Sequence, residues 1–196
     1  TMAKGVSFSN YEKMKGRYSQ PQRTAIEKKL AEEDLSKFLE GAKNSPVELE
    51  RRLKSVANTG NDKTKNNAYL HTINNPNLAG GGANWDKVFK TDLGKSLSSM
   101  SVKDVVENVT PESLENVEVF DQLTSKQLKS ILERGSRKQT NAVRNIMVGS
   151  KKKLLADKKD ALENMINLPG PADQKEEATK NLEDFNKKMA ELIKII

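Results

Sequence analysis

Met100-Ser101-Val102-Lys103-Asp104-Val105, Val109-Thr110-Pro111-Glu112-Ser113-Leu114 and Leu123-Thr124-Ser125-Lys126-Gln127-Leu128 repeat one arrangement inside the stretch from Leu97 to Met147. In each, an apolar residue precedes Ser or Thr, two residues intervene, and a polar residue is followed by a second apolar one. This is the signature of a helix start. The N-cap hydroxyl accepts from a backbone N–H of the first turn, the N3 side chain reaches back, and the flanking apolar pair closes as a staple. Asp104 and Gln127 suit the reach-back better than Ser113. Helices over about 102–108, 111–118 and 125–134 follow, with Gly135 as a C′ residue. Ser136 and Gln139 open a fourth helix that turns Ala142, Val143, Ile146 and Met147 inward until Gly149. The starts are 9, 14 and 12 residues apart, too irregular for a solenoid, so the centre reads as a compact bundle.

Outward from this centre the chain reads as all-α, a short-helix bundle flanked by an N-terminal helical hairpin and a long C-terminal one. Residues 1–20 read as a flexible basic arm carrying Phe8, Tyr11 and Tyr18. Residues 21–57 read as the N-terminal hairpin, bent or broken near Glu32-Glu33-Asp34 and restarted by Ser45 as N-cap, Pro46 at N1 and Glu48 at N3. Residues 58–84, rich in Asn and holding Gly80-Gly81-Gly82, read as a loop or linker and as the domain boundary, with His71 solvated inside it. The bundle is assigned to 85–149, beginning with a helix through Trp85, Val88, Phe89 and Leu93 that Gly94 stops. In 150–196, residues 151–167 are expected to bury Leu154, Leu155, Ala161, Leu162, Met165 and Ile166, and Leu168-Pro169-Gly170-Pro171 breaks the helix. Asp173 with Glu176 restarts it. The last helix carries a heptad seam of Ala178, Leu182, Phe185, Met189, Leu192 and Ile196, a route to an oligomer through 178–196.

Composition narrows function. Of 196 residues, 35% are hydrophobic and 31% charged, which suits slender helices with wide solvated faces. There is no Cys and one His, so thiolate zinc sites and Ser-His or Cys-His nucleophile systems lack their parts. The glycine triplet has no following Lys-Ser or Lys-Thr, which a phosphate cradle requires. No cofactor, no metal and no catalytic residue is therefore expected, and the chain reads as non-enzymatic. No apolar run approaches the ~20 residues of a membrane span. With no Cys, a reducing, cytoplasmic location is expected.

The net charge of +7 is uneven. Residues 96–125 hold 1 basic and 6 acidic residues, whereas 126–160 hold 11 basic and 3 acidic. That switch implies an anionic partner, or docking of one face on another. The basic candidates are Lys126, Lys129, Arg134, Arg137, Lys138, Arg144, Lys151, Lys152, Lys153, Lys158 and Lys159. No aromatic lies between Phe120 and Phe185, so contacts to nucleic acid would be to backbone phosphate rather than to stacked bases. Two functions are expected from this. The first is a non-catalytic protein-interaction or scaffold module with a protein partner, anchored by Trp85, Phe185 and Met189. The second is a nucleic-acid-binding protein that grips phosphates through 126–159.

Leu123-x4-Leu128-x3-Leu132-x2-Gly135 followed by Val143 and Ile146 resembles the helix-extended-helix core of SAP-type DNA-binding motifs, over residues 123–147. The resemblance implies a turn whose amides meet DNA. Ser136 stands where that pattern has an apolar residue after the glycine, a later Gly-x-Lys is missing, and the second helix begins early. The chain is not assigned to that family.

Overall fold

The computed structural model describes residues 8–33, 35–42, 45–57, 62–75 and 92–196, which form helices and no strand. The chain divides after Ser99 into two units. The first contains α1 (Phe8–Met14), a short 3-10 turn (Lys15–Arg17), α2 (Gln20–Glu33), α3 (Leu35–Glu40), α4 (Pro46–Ala57), α5 (Asp62–Asn74) and α6 (Asp92–Ser99). The second contains α7 (Val102–Asn108), α8 (Pro111–Leu114), α9 (Val117–Gln122), α10 (Ser125–Arg134), α11 (Arg137–Met147), α12 (Lys152–Asn167) and α13 (Ala172–Ile193).

The first unit differs from its sequence reading in three places. The described part of the arm is helical and docked: Tyr11 is buried, its hydroxyl donates to Glu27, and its ring stacks on Tyr18 at 6.5 Å. The Asn-rich segment is not a loop between residues 62 and 74 but α5, which packs on α3, α4 and α6. Ala68, Tyr69, Leu70 and Ile73 are all buried there, so tertiary burial overrides the poor helix propensity of Asn. Finally, α6 runs through Gly94 rather than stopping at it. The glycine triplet and Trp85, Val88 and Phe89 lie outside the described residues.

Ser45 caps α4 as its sequence implies, accepting from the Glu48 N–H at 3.3 Å. Its own N–H donates to the Ala42 carbonyl at 3.0 Å, which leaves the Glu48 carboxylate free for other partners. Those partners are Arg51 and Arg52. A capping box also starts α2: Ser19 N–H donates to Gln22 Oε1 at 2.9 Å, and Gln22 N–H to Ser19 Oγ at 3.4 Å.

In the second unit all four hydroxyl caps form. Ser101, Thr110, Thr124 and Ser136 accept from the N–H of Asp104, Ser113, Gln127 and Gln139 at 3.1–3.2 Å. Only the two glutamines complete a box, with Oε1 accepting from Thr124 N–H at 2.9 Å and Ser136 N–H at 2.8 Å. The expected helix over 111–118 is instead two, because Asn116 accepts from Glu118 N–H at 3.0 Å and starts α9, which lets Leu114, Val119 and Phe120 all face the core.

Gly135 does end α10, but in extended rather than left-handed conformation. Its reason is room: a Cβ there would collide with the Ile131 carbonyl oxygen and sit 3.1 Å from Gln139 Oε1. Val105, Val109, Leu114, Phe120, Leu123, Leu128, Ile131, Val143 and Ile146 make the core, each worth roughly 1.5–3 kcal/mol on burial.

α12 and α13 pack on each other, and α13 also touches α10. Only Leu155 of the expected α12 face is buried; Leu162 and Ile166 are half-buried, and Leu154, Ala161 and Met165 are exposed. α13 begins at Ala172 after Pro171, so Asp173 sits in its first turn rather than capping it. Its seam faces inward at Ala178, Phe185 and Leu192, which are buried, and at Leu182 and Met189, which are half-buried, but Ile196 lies beyond the helix and is exposed.

Candidate anion-binding surface

The eleven cations of 126–159 separate into two classes. Lys151 bonds Glu115 at 2.5 Å, Lys158 bonds Glu118 at 2.9 Å and Asp121 at 3.3 Å, and Lys159 lies 4.0 Å from Glu163. The acidic stretch therefore neutralises Lys151, just before α12, and Lys158 in its middle, and leaves Lys152 and Lys153 at its start unpaired among the described residues. Hydrogen bonding from Lys151 holds the Glu115 carboxyl below its usual range. Burial works against the charge on Lys158, yet Asp121 and Glu118 outweigh it and raise its pKa.

The other eight, Lys126, Lys129, Arg134, Arg137, Lys138, Arg144, Lys152 and Lys153, are exposed and form no ion pair among the described residues. Their placement follows from helix periodicity. Gln127, Leu128 and Ile131 turn inward on α10, which leaves Lys126 and Lys129 on the outer face at i and i+3. On α11 the buried set is Gln139, Ala142, Val143, Ile146 and Met147, which leaves Arg137, Asn141 and Arg144 as an outer stripe at i, i+4 and i+7. Gly135 and Ser136 alone join the helices, so Arg134, Arg137 and Lys138 crowd one tight junction.

The junction is braced from behind by the glutamines that complete the capping boxes. Gln139 Nε2 donates to the carbonyls of Val106 and Val109, both at 2.8 Å. Gln127 Nε2 donates to the Met100 carbonyl at 3.1 Å. Each amide thus fixes a helix start and also satisfies carbonyls of an earlier segment, holding α10 and α11 on α7.

An open cleft of about 460 Å³ lies where α10 begins and α13 ends, lined by Lys126, Lys129 and Lys194 together with Glu191, Leu192 and Ile195. Lys194 is a cation that sequence reading did not attach to this surface; its signal is only its place on a helix that packs on α10. The candidate interface anchors do not gather here. Phe185 is buried within its own unit, Met189 is half-buried, and Trp85 lies outside the described residues.

Beneath the surface, Lys188 is buried and donates to the carbonyls of Phe120 at 2.7 Å and Asp121 at 3.0 Å, with its ammonium 5.0 Å from the Phe120 ring centre. Burial lowers its pKa to about 8, partly offset by Asp121. Lys188 thus compensates the carbonyl end of α9 and does not belong to the open cationic face.

In the first unit, His71 lies on α5 and is half-buried rather than solvated, and burial lowers its pKa. No group of three or more metal-ligating side chains occurs among the described residues. No helix among them is long and apolar enough to cross a membrane. Comparison of the chain with protein-family models, with curated proteins and with solved structures finds no match.

Proposed function

We propose that this chain is a non-catalytic helical module that holds a polyanion, the phosphate backbone of a nucleic acid, against α10, α11 and the start of α12. The observation that carries this reading is the division of the basic residues. Eight exposed cations have no ion-pair partner among the described residues, whereas Glu115, Glu118 and Asp121 of the acidic stretch are taken up by Lys151, Lys158 and, in Glu115's case, Asn145 as well. Neutralising phosphate and releasing its counterions supplies affinity without reading sequence. The absence of aromatics from Phe120 to Phe185 makes the contact one to backbone, not to bases.

The test is fluorescence anisotropy with an arbitrary DNA duplex and an RNA duplex across salt concentrations. Affinity should fall log-linearly with salt, with a slope of about −0.9 for each phosphate contacted. Joint Lys126→Glu, Arg137→Glu and Arg144→Glu exchange should abolish it, while Lys159→Glu should change it little. Absence of binding at low salt would remove this reading. A protein-interaction or scaffold role is the second reading, and one observation favours it: an apolar stripe left bare on α12.

A further inference from the structure

The outer side of α12, together with its C-cap Leu168, carries apolar residues that its own unit leaves uncovered. Leu154, Met165 and Leu168 are 40%, 50% and 60% exposed, and Ala161 is exposed with them. At ~100° per residue these four fall within about a sixth of the helix circumference, about 110° from the direction of Leu155, Leu162 and Ile166. The apolar face of α12 is thus wider than its packing in the unit uses. Lys158 falls in the same stripe, but Glu118 and Asp121 draw its ammonium aside at 2.9 and 3.3 Å, so no unpaired charge interrupts the row.

The stripe is symmetric about its smallest member. Leu154 and Leu168 each lie seven residues from Ala161, so a two-fold axis at Ala161 would set Leu154 of one copy against Leu168 of the other. The methyl group of Ala161 would allow close approach at the crossing. Flanking charge favours the antiparallel sense. It brings exposed Asp157 beside Asn164 of the other copy and carries the Lys151-Lys152-Lys153 clusters to opposite ends. A parallel pair would instead bring the two lysine clusters together at one end. The α13 seam offers no comparable surface, because Ala178, Phe185 and Leu192 are already buried.

We infer that a second copy of this chain covers the stripe, the two α12 helices running antiparallel across an axis at Ala161. The row is about 21 Å long. A row of four side chains covers less than the ~1,600 Å² of a standard interface, so the dimer is reversible.

The chain has no cysteine, which makes the test direct. Sedimentation velocity of the full chain between about 1 and 100 µM should move from the 21.8 kDa monomer towards twice that mass. Met165→Asp should stay monomeric with an unchanged circular dichroism spectrum. Under mild oxidation Ala161→Cys should form a disulfide dimer. Leu154→Cys should not link to itself but should link to Leu168→Cys, and Asn181→Cys serves as the collision control. A monomer throughout, with Ala161→Cys linking no faster than the control, overturns the inference. So does efficient self-linking of Leu154→Cys, which would mean a parallel pair.

Discussion

In the N-terminal unit Arg52 is fully buried and divides its guanidinium among Glu12 at 2.5 Å, Glu48 at 2.9 Å and the Phe38 carbonyl at 2.6 Å. Beside it, Arg51 bonds Glu27 through two nitrogens at 2.8 and 3.0 Å and Glu48 through two at 2.7 and 3.0 Å. The C-terminal unit joins its helices differently. Its buried connectors are the neutral amides of Gln127 and Gln139, its buried Lys188 meets carbonyls, and its ion pairs lie nearer the surface. A buried charge network is costly to interrupt because the remaining member keeps its charge without water, whereas an amide leaves only an unmet carbonyl. The two units should therefore answer to different perturbations.

The largest expected effect is at Arg52. Arg52→Ala takes one donor each from Glu12 and Glu48, which keep Lys15 and Arg51, removes the donor to the Phe38 carbonyl and leaves a cavity where the fully buried guanidinium lay, and should cost the N-terminal unit about 3–5 kcal/mol. Residue-resolved hydrogen exchange should show α4 and α2 losing protection while α10 and α11 keep theirs. Equal loss in both units would break the comparison. Next is Gly135→Ala, which forces a methyl group against Ile131 and should cost about 1–3 kcal/mol, read as a lower urea midpoint. Gln139→Ala should cost about the same, since it removes the donor to Val106 and Val109 as well as the reach-back to Ser136.

The smallest effects are those of pH, and they separate the units at both ends of the scale. Hydrogen bonds from Arg51, then Arg52, hold Glu48 at about 2, below its usual value. Burial alone would raise Glu27, but bonds from Arg51 and Tyr11 outweigh it and hold it low. A carboxylate depressed in the fold stabilises above its unfolded pKa and ceases to as pH falls, so the N-terminal unit should weaken between about pH 4.5 and pH 2. At alkaline pH the signs differ. Tyr11 is raised by burial and by Glu27, so the N-terminal unit loses stability above about pH 10. Lys188 gives up its proton at about 8 in the fold but near 10.5 when unfolded, so the C-terminal unit gains stability as pH rises between those values. Hydrogen exchange at several pH values reads both trends, and Lys188→Met should flatten the second.

The same contrast explains how much could be read from residues alone. Local chemistry was legible: the hydroxyl caps at Ser45, Ser101, Thr110, Thr124 and Ser136 depend on four consecutive residues, and the limits of α7 and α10 followed from them. What depends on distant partners was not. Arg52 stands at a core position of the row Leu49, Arg52, Leu53 and Val56, and an arginine in that register is a sign of a buried pair that a hydrophobic pattern passes over. Gln127 and Gln139 were readable as capping residues, but their second bonds span 27 and 30 residues. The basic surface was visible as a cluster. Which cations the acidic stretch would absorb depended on α12 lying within reach of Glu115, Glu118 and Asp121.

The double duty of Gln139 carries a consequence for how the chain reaches this fold. Its capping box closes within four residues and can form as quickly as a helix nucleates, whereas its bonds to Val106 and Val109 must first close a loop of about 30 residues. One side chain therefore belongs to an early local step and to a late long-range one. Truncating it should slow refolding and speed unfolding together, giving a fractional φ-value, while the purely local cap at Ser101 should report on a single step.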